Sequence, residues 1–149
     1  MKTITTTIVI EATPQQVWKT LMDHENYSSW NPFIKQISGD PSLGKKIAVT
    51  IQPEGKQPMN FSPIVIRNDK EIEFRWIGHL FVKGLFDGEH YFRLEDAGSN
   101  KTRFVHGEHF AGLMAGTIMK MIGENTKKGF NAMNLALKDK VEKNNKFEK

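Results

Sequence analysis

The chain has 149 residues, 38% of them hydrophobic, and no cysteine, which fits one globular domain and excludes disulfides and thiolate chemistry. The formal charge of +4 falls at the C-terminal end, where eight lysines from Lys120 onward meet four acids; this reads as a solvated helix face rather than a nucleic-acid or acidic-membrane patch. The N-terminus is too polar for a signal peptide and no run approaches the roughly 20 apolar residues of a membrane span, so a cytoplasmic protein without stable membrane insertion is expected.

Thr3 to Ile10 alternates β-branched residues and predicts a strand. Thr13-Pro14 supplies an N-cap and a proline for the first helical position, and Val17, Trp18, Leu21 and Met22 follow at helical spacing. Asp23-His24-Glu25-Asn26 breaks the pattern, and Tyr27 to Trp30 forms a second short helix stopped by Asn31-Pro32. Trp18 is expected to hold the first helix down, and Trp30 with Asn31-Pro32-Phe33 to plug one end of a sheet.

Strands are then predicted over Phe33–Ser38, Lys45–Gln52, Met59–Arg67 and Glu71–Ile77, with Pro53–Pro58 as a loop. Pro63 argues for a bulge or an edge position. In Glu71–Ile77, Ile72, Phe74 and Trp76 point one way while Glu71, Glu73 and Arg75 point the other. Gly78 to Gly84, with Leu80-Phe81-Val82, reads either as a continuing strand or as a loop. His24 and His79 are placed in loops, His79 near a pocket rim.

The most informative stretch is Gly88 to Phe110, a hairpin turning at Ala97-Gly98-Ser99-Asn100. Read with period 2, Phe92, Leu94, Phe104 and Phe110 share a face with His90, His106 and Glu108, while His109 faces the other way into solvent. Three ionisable groups on an apolar face are costly unless they meet one another, water or a ligand. The hairpin register sets His90 opposite either His106 or Glu108, one pleat step apart. From about Ala115, Met119, Ile122, Thr126, Phe130, Met133, Leu137 and Val141 recur at three- and four-residue steps, a long amphipathic helix that frays at Asn144-Asn145-Lys146. Gly123 and Gly129 inside it either allow close approach by the sheet or mark a bend.

The layout is α+β: a strand, two short helices, a curved antiparallel sheet of about six or seven strands, and one C-terminal helix of roughly 40 Å covering the apolar face. The stretches Ala12–Trp18, Tyr27–Phe33, Phe74-Arg75-Trp76, Gly88-Glu89-His90, Thr102–Phe110 and Gly129–Asn134, taken in order, resemble the START-like (SRPBCC) superfamily, and within it the polyketide cyclase/dehydrase-type sequences. The resemblance covers nearly the full length. It implies a helix-grip fold with a hydrophobic pocket between sheet and helix, in a family whose members bind lipids, sterols, polyketides or other apolar molecules and are enzymes in some cases.

Phe61, Phe74, Trp76, Phe92, Phe104, Met119, Ile122, Phe130 and Met133 are expected to line the space between sheet and helix, with His90, His106 and Glu108 orienting the polar end of a small hydrophobic or amphipathic ligand. The alternative is cyclase, aromatase or dehydratase chemistry, with His90 or His106 carrying the proton and Glu108 as its partner. A third reading is a protein-interaction module of the chaperone-activator type, which a cavity below roughly 300 Å³ would favour. Two His and one Glu could ligate zinc, but His-x-Glu along a strand lacks the i, i+4 spacing of common zinc sites, and no metal or cofactor is expected. No phosphate-cradling glycine loop and no nucleophile elbow is present. Oligomeric state is not legible.

Overall fold

In the computed structural model, which describes residues 2–80 and 82–147, β1 (Lys2–Ile10) leads into α1 (Pro14–Leu21) through a capping box. The Thr13 hydroxyl accepts from the Gln16 amide at 3.2 Å and the Gln16 side chain accepts from the Thr13 amide at 2.9 Å, so two orphan donors are satisfied. A 3-10 turn at His24–Asn26 and α2 (Tyr27–Trp30) follow. Tyr27 is wholly buried and its hydroxyl donates to the Leu21 carbonyl, which folds this segment onto α1.

The remaining strands are β2 (Ile34–Ser38), β3 (Ala48–Ile51), β4 (Met59–Phe61), β5 (Ile64–Asp69), β6 (Glu73–Leu80), β7 (Phe86–Gly98) and β8 (Lys101–Ala111). They form two antiparallel sheets rather than one: β1-β8-β7-β6-β5 and β2-β3-β4. The expected strand Met59–Arg67 is therefore two strands. Pro63, lacking an amide hydrogen, marks the break, and its carbonyl accepts from the Ile47 amide while the chain passes from one sheet to the other.

Two side-chain placements also differ from expectation. Glu71 takes φ 65° in the β5–β6 turn, so Ile72 lies before the strand and is 52% exposed instead of joining Phe74 and Trp76 inside. Glu73 is buried, compensated by Arg67 at 3.1 Å and Arg75 at 2.9 Å. Neither His24 nor His79 is in a loop: His24 belongs to the 3-10 turn, and His79 to β6, where it pairs with Asp87 at 2.7 Å. His109 does face away from the helix, but it is half-buried, bonded to the Thr3 hydroxyl and set against the Tyr91 ring. Of the ambiguous Leu80-Phe81-Val82, Leu80 ends β6, Val82 is exposed, and Phe81 lies outside the described residues, as do Glu148 and Lys149 of the charged end.

The long helix α3 (Ala115–Phe147) has 33 residues, about 50 Å at 1.5 Å per residue. Phe130, Met133, Leu137 and Val141 are buried in the main core with Ile10, Trp18, Leu21, Phe74, Phe92 and Phe104. The expected fraying at Asn144-Asn145-Lys146 does not occur. Asn145 accepts from the Gln16 side chain at 2.7 Å and donates to the Glu11 carbonyl, which ties the last turns to α1. Gly129 is a close-approach glycine: a Cβ there would overlap the Phe33 ring. No helix among the described residues is long and apolar enough to cross a membrane.

Candidate functional site

The register of β7 against β8 decides the first open question. His90 stands opposite Glu108, Phe92 opposite His106, and Leu94 opposite Phe104. All three ionisable side chains share the inner face, and they are linked. His90 Nδ1 lies 3.1 Å from Glu108 Oε1, and His90 Nε2 lies 2.9 Å from His106 Nε2. Farther in, His106 Nδ1 meets Asn134 Oδ1 at 2.9 Å, the Asn134 amide donates to the Thr6 hydroxyl at 2.8 Å, and Thr6 donates to the His106 carbonyl at 3.0 Å.

The directions of these bonds follow from their inner end. Thr6 spends its hydrogen on a carbonyl, so its oxygen accepts from Asn134 Nδ2, which leaves Asn134 Oδ1 as an acceptor for His106 Nδ1–H. Burial pushes the His106 imidazole well below its ordinary pKa, and the neighbouring His90 charge adds to this; bonds to Asn134 and the Phe130 carbonyl oppose it. A neutral His106 with hydrogen on Nδ1 offers a lone pair at Nε2, which His90 Nε2–H fills. His90 Nδ1 then faces Glu108 either as an imidazolium against a carboxylate or as a neutral ring against a carboxylic acid. Both arrangements place one proton between His90 and Glu108.

Rings hold this chain in place. The Trp76 indole stacks on His90 at 4.7 Å and 7°, and Phe130 stacks on His106 at 4.0 Å and 12°. Gly88 makes room for the acid, because a Cβ at this position would collide with Glu108 Oε2. Among the described residues His90 and His106 are buried, whereas the Glu108 side chain keeps 16% of its exposure.

Glu108 and His90 border a cavity of about 100 Å³ between the two sheets, whose remaining walls are mainly apolar. Of the residues expected to line it, Phe61, Trp76 and Ile122 do so. Phe74, Phe92, Phe104, Phe130 and Met133 are fully buried in the closed core instead, because the sheet curls against α3 and leaves no gap there. Met119 packs on a separate small cluster of Phe86, Phe110 and Ala115. His106 is not at the wall; His90 stands between it and the cavity. His79 is not at the wall either.

Sequence reasoning missed Val49, Ile51 and Met59, cavity residues supplied by the small sheet, because strands of three and four residues carry too little alternation to show a face. It also missed Asn134 and Thr6. Asn134 had a signal: it stands four residues after Phe130, inside the apolar stripe of α3, and a polar residue there requires a partner.

A family model described as polyketide cyclase / dehydrase and lipid transport matches residues 1–142. No curated protein sequence matches the chain. Among solved structures, the Zhui aromatase/cyclase from Streptomyces sp. R1128 is similar with a TM-score of 0.76 at 13% identity, covering 95% of this chain and 93% of that one. A START superfamily protein from Mycobacterium smegmatis gives 0.70 at 17% identity, with 95% and 97% covered. A norcoclaurine synthase point mutant from Thalictrum flavum, in complex with a transition-state analogue, gives 0.73 at 15% identity, with 97% and 96% covered. At such identities the structures establish the helix-grip fold alone. With the family match running over nearly its whole length, the chain belongs to the START-like polyketide cyclase / dehydrase and lipid transport family.

Proposed function

We propose that the protein binds a small, mostly apolar molecule bearing one hydrogen-bond donor, seated between the sheets with that donor on Glu108. The observation that carries this is a single carboxylate, linked to His90, on a cavity wall that is otherwise mainly apolar. Phe61, Trp76 and Ile122 supply contact; His90 and, behind it, His106 hold the acid in orientation. A ligand burying about 150 Å² of apolar surface would gain about 4 kcal/mol, which corresponds to a Kd near the millimolar range for a simple aromatic.

Titration with phenol, toluene and benzoate, read on the Trp76 indole and Ile122 methyl NMR signals, tests the reading. Phenol should bind about tenfold more tightly than toluene, and benzoate should be excluded by the acid. In Glu108→Gln the exclusion of benzoate should be relieved. Absence of any perturbation at Trp76 and Ile122 would overturn the proposal.

The cavity volume favours a second reading. At about 100 Å³ it lies below the roughly 300 Å³ at which small-molecule sites begin, as a protein-interaction module would have it. That reading gains if all three probes fail and native mass spectrometry of the purified protein finds no copurifying small molecule. Acid–base catalysis, if present, belongs to the Glu108–His90 pair, since His106 has no access to the cavity.

A further inference from the structure

A second depression of about 300 Å³ lies on the other side of Phe33, and Phe33 with Pro53 forms a wall of both spaces. The two differ in chemistry. The inner cavity has Glu108 as its acid and neither lysine nor arginine in its wall, whereas the outer depression carries Lys35 and Lys128 against the single acid Glu54. Phe33 is 3% exposed and meets Phe130 edge-on at 5.6 Å, with its ring laid on the bare backbone of Gly129.

The backbone of Phe33 is fixed on both sides. Its amide donates to the Asn31 side chain at 2.9 Å, and its carbonyl accepts from the Gln52 amide at 2.8 Å. Side-chain rotation is therefore the motion left to it. With the ring turned aside the two spaces, about 100 Å³ and 300 Å³, would join and reach the size range of small-molecule sites.

We infer that Phe33 is a movable partition in one amphipathic site, whose outer part holds the anionic head of a ligand between Lys35 and Lys128 while the apolar tail passes into the inner cavity. This rests on the ligand-binding reading above and adds to it the class of ligand, an aliphatic or aromatic acid long enough to cross the Phe33 position. An acid of that kind keeps its charge away from Glu108, the group that excludes a short acid such as benzoate. Charge placement, apolar tail inside and anion outside, follows from where the two lysines stand.

Isothermal titration of the full chain with octanoate and octan-1-ol, which share a tail and differ in the head, tests this. Wild type should prefer octanoate by at least fivefold, and the double variant Lys35→Gln/Lys128→Gln should lose that preference while still binding octan-1-ol. Phe33→Ala should bind octanoate at least tenfold more tightly than wild type; Phe33→Leu, which keeps more of the core volume, should show a smaller gain of the same sign should Phe33→Ala not fold. Binding of octan-1-ol with no preference for octanoate, or a preference that survives loss of both lysines, overturns this inference and leaves the ligand-binding reading intact. Failure of both probes to bind wild type and either Phe33 variant overturns this inference, and the ligand-binding reading falls with it only where phenol also leaves Trp76 and Ile122 unperturbed.

Discussion

His24 follows α1 with its ring edge-on to Tyr27 at 5.2 Å and against Phe74 at 5.6 Å, and its Nε2 is buried without a partner. Burial lowers its pKa from 6.5 to about 4, with Asp23 pulling the other way. The unfolded chain takes up a proton near pH 6.5 that the folded chain refuses until about pH 4, so stability is complete above pH 6.5 and falls as the pH drops through that window. The loss from this one residue approaches about 3 kcal/mol at the acid end, and His106, also lowered, acts in the same direction. Urea unfolding of wild type and His24→Phe at pH 7 and pH 4.5 checks the assignment: the wild-type curve should shift more, and equal shifts would rule it out.

Within α3 two glycines that look alike in the sequence have opposite roles. A Cβ at Gly123 would meet Met119 Cε at 3.5 Å, an ordinary contact, so Gly123→Ala should stabilise by up to about 1 kcal/mol through helix propensity. At Gly129 the same methyl would overlap the Phe33 ring, and Gly129→Ala should destabilise by about 1–3 kcal/mol despite the better propensity. Guanidinium unfolding of the two variants reads the sign directly. Patterns of this kind decide what was legible. The β7–β8 hairpin showed its buried face because long strands repeat their alternation many times, and α3 showed its stripe for the same reason. Which Met and Phe residues line a space and which close the core depends on how far the sheet curls, and no local spacing encodes that. The two-sheet division rested on one proline, read as a bulge or an edge position. The firm end of α3 rested on Asn145 finding Gln16, a contact 129 positions away.

At the scale of the whole molecule the cavity exists because the small sheet and the large sheet diverge after Ser62-Pro63 and α3 passes over the gap. The first turns of α3 rest on the small aromatic cluster, and continuous core burial starts only at Thr126. Filling the gap should therefore disturb the fold little. Ile122→Trp is expected to weaken phenol binding at least tenfold while changing unfolding free energy by no more than about 1 kcal/mol, measured by NMR titration and urea unfolding. In wild type, phenol at one hundred times its Kd should stabilise by about 2.7 kcal/mol, and this increment should vanish in the variant.

The polar thread from Glu108 to Thr6 has one further consequence. From His90 Nε2 onward every hydrogen points inward, and the last one rests on a peptide oxygen, which has nothing to hand on. As a conduit for protons it is a cul-de-sac. Whatever acidity the site exchanges with a bound molecule must enter and leave through the same mouth, so protonation and occupancy compete for one doorway.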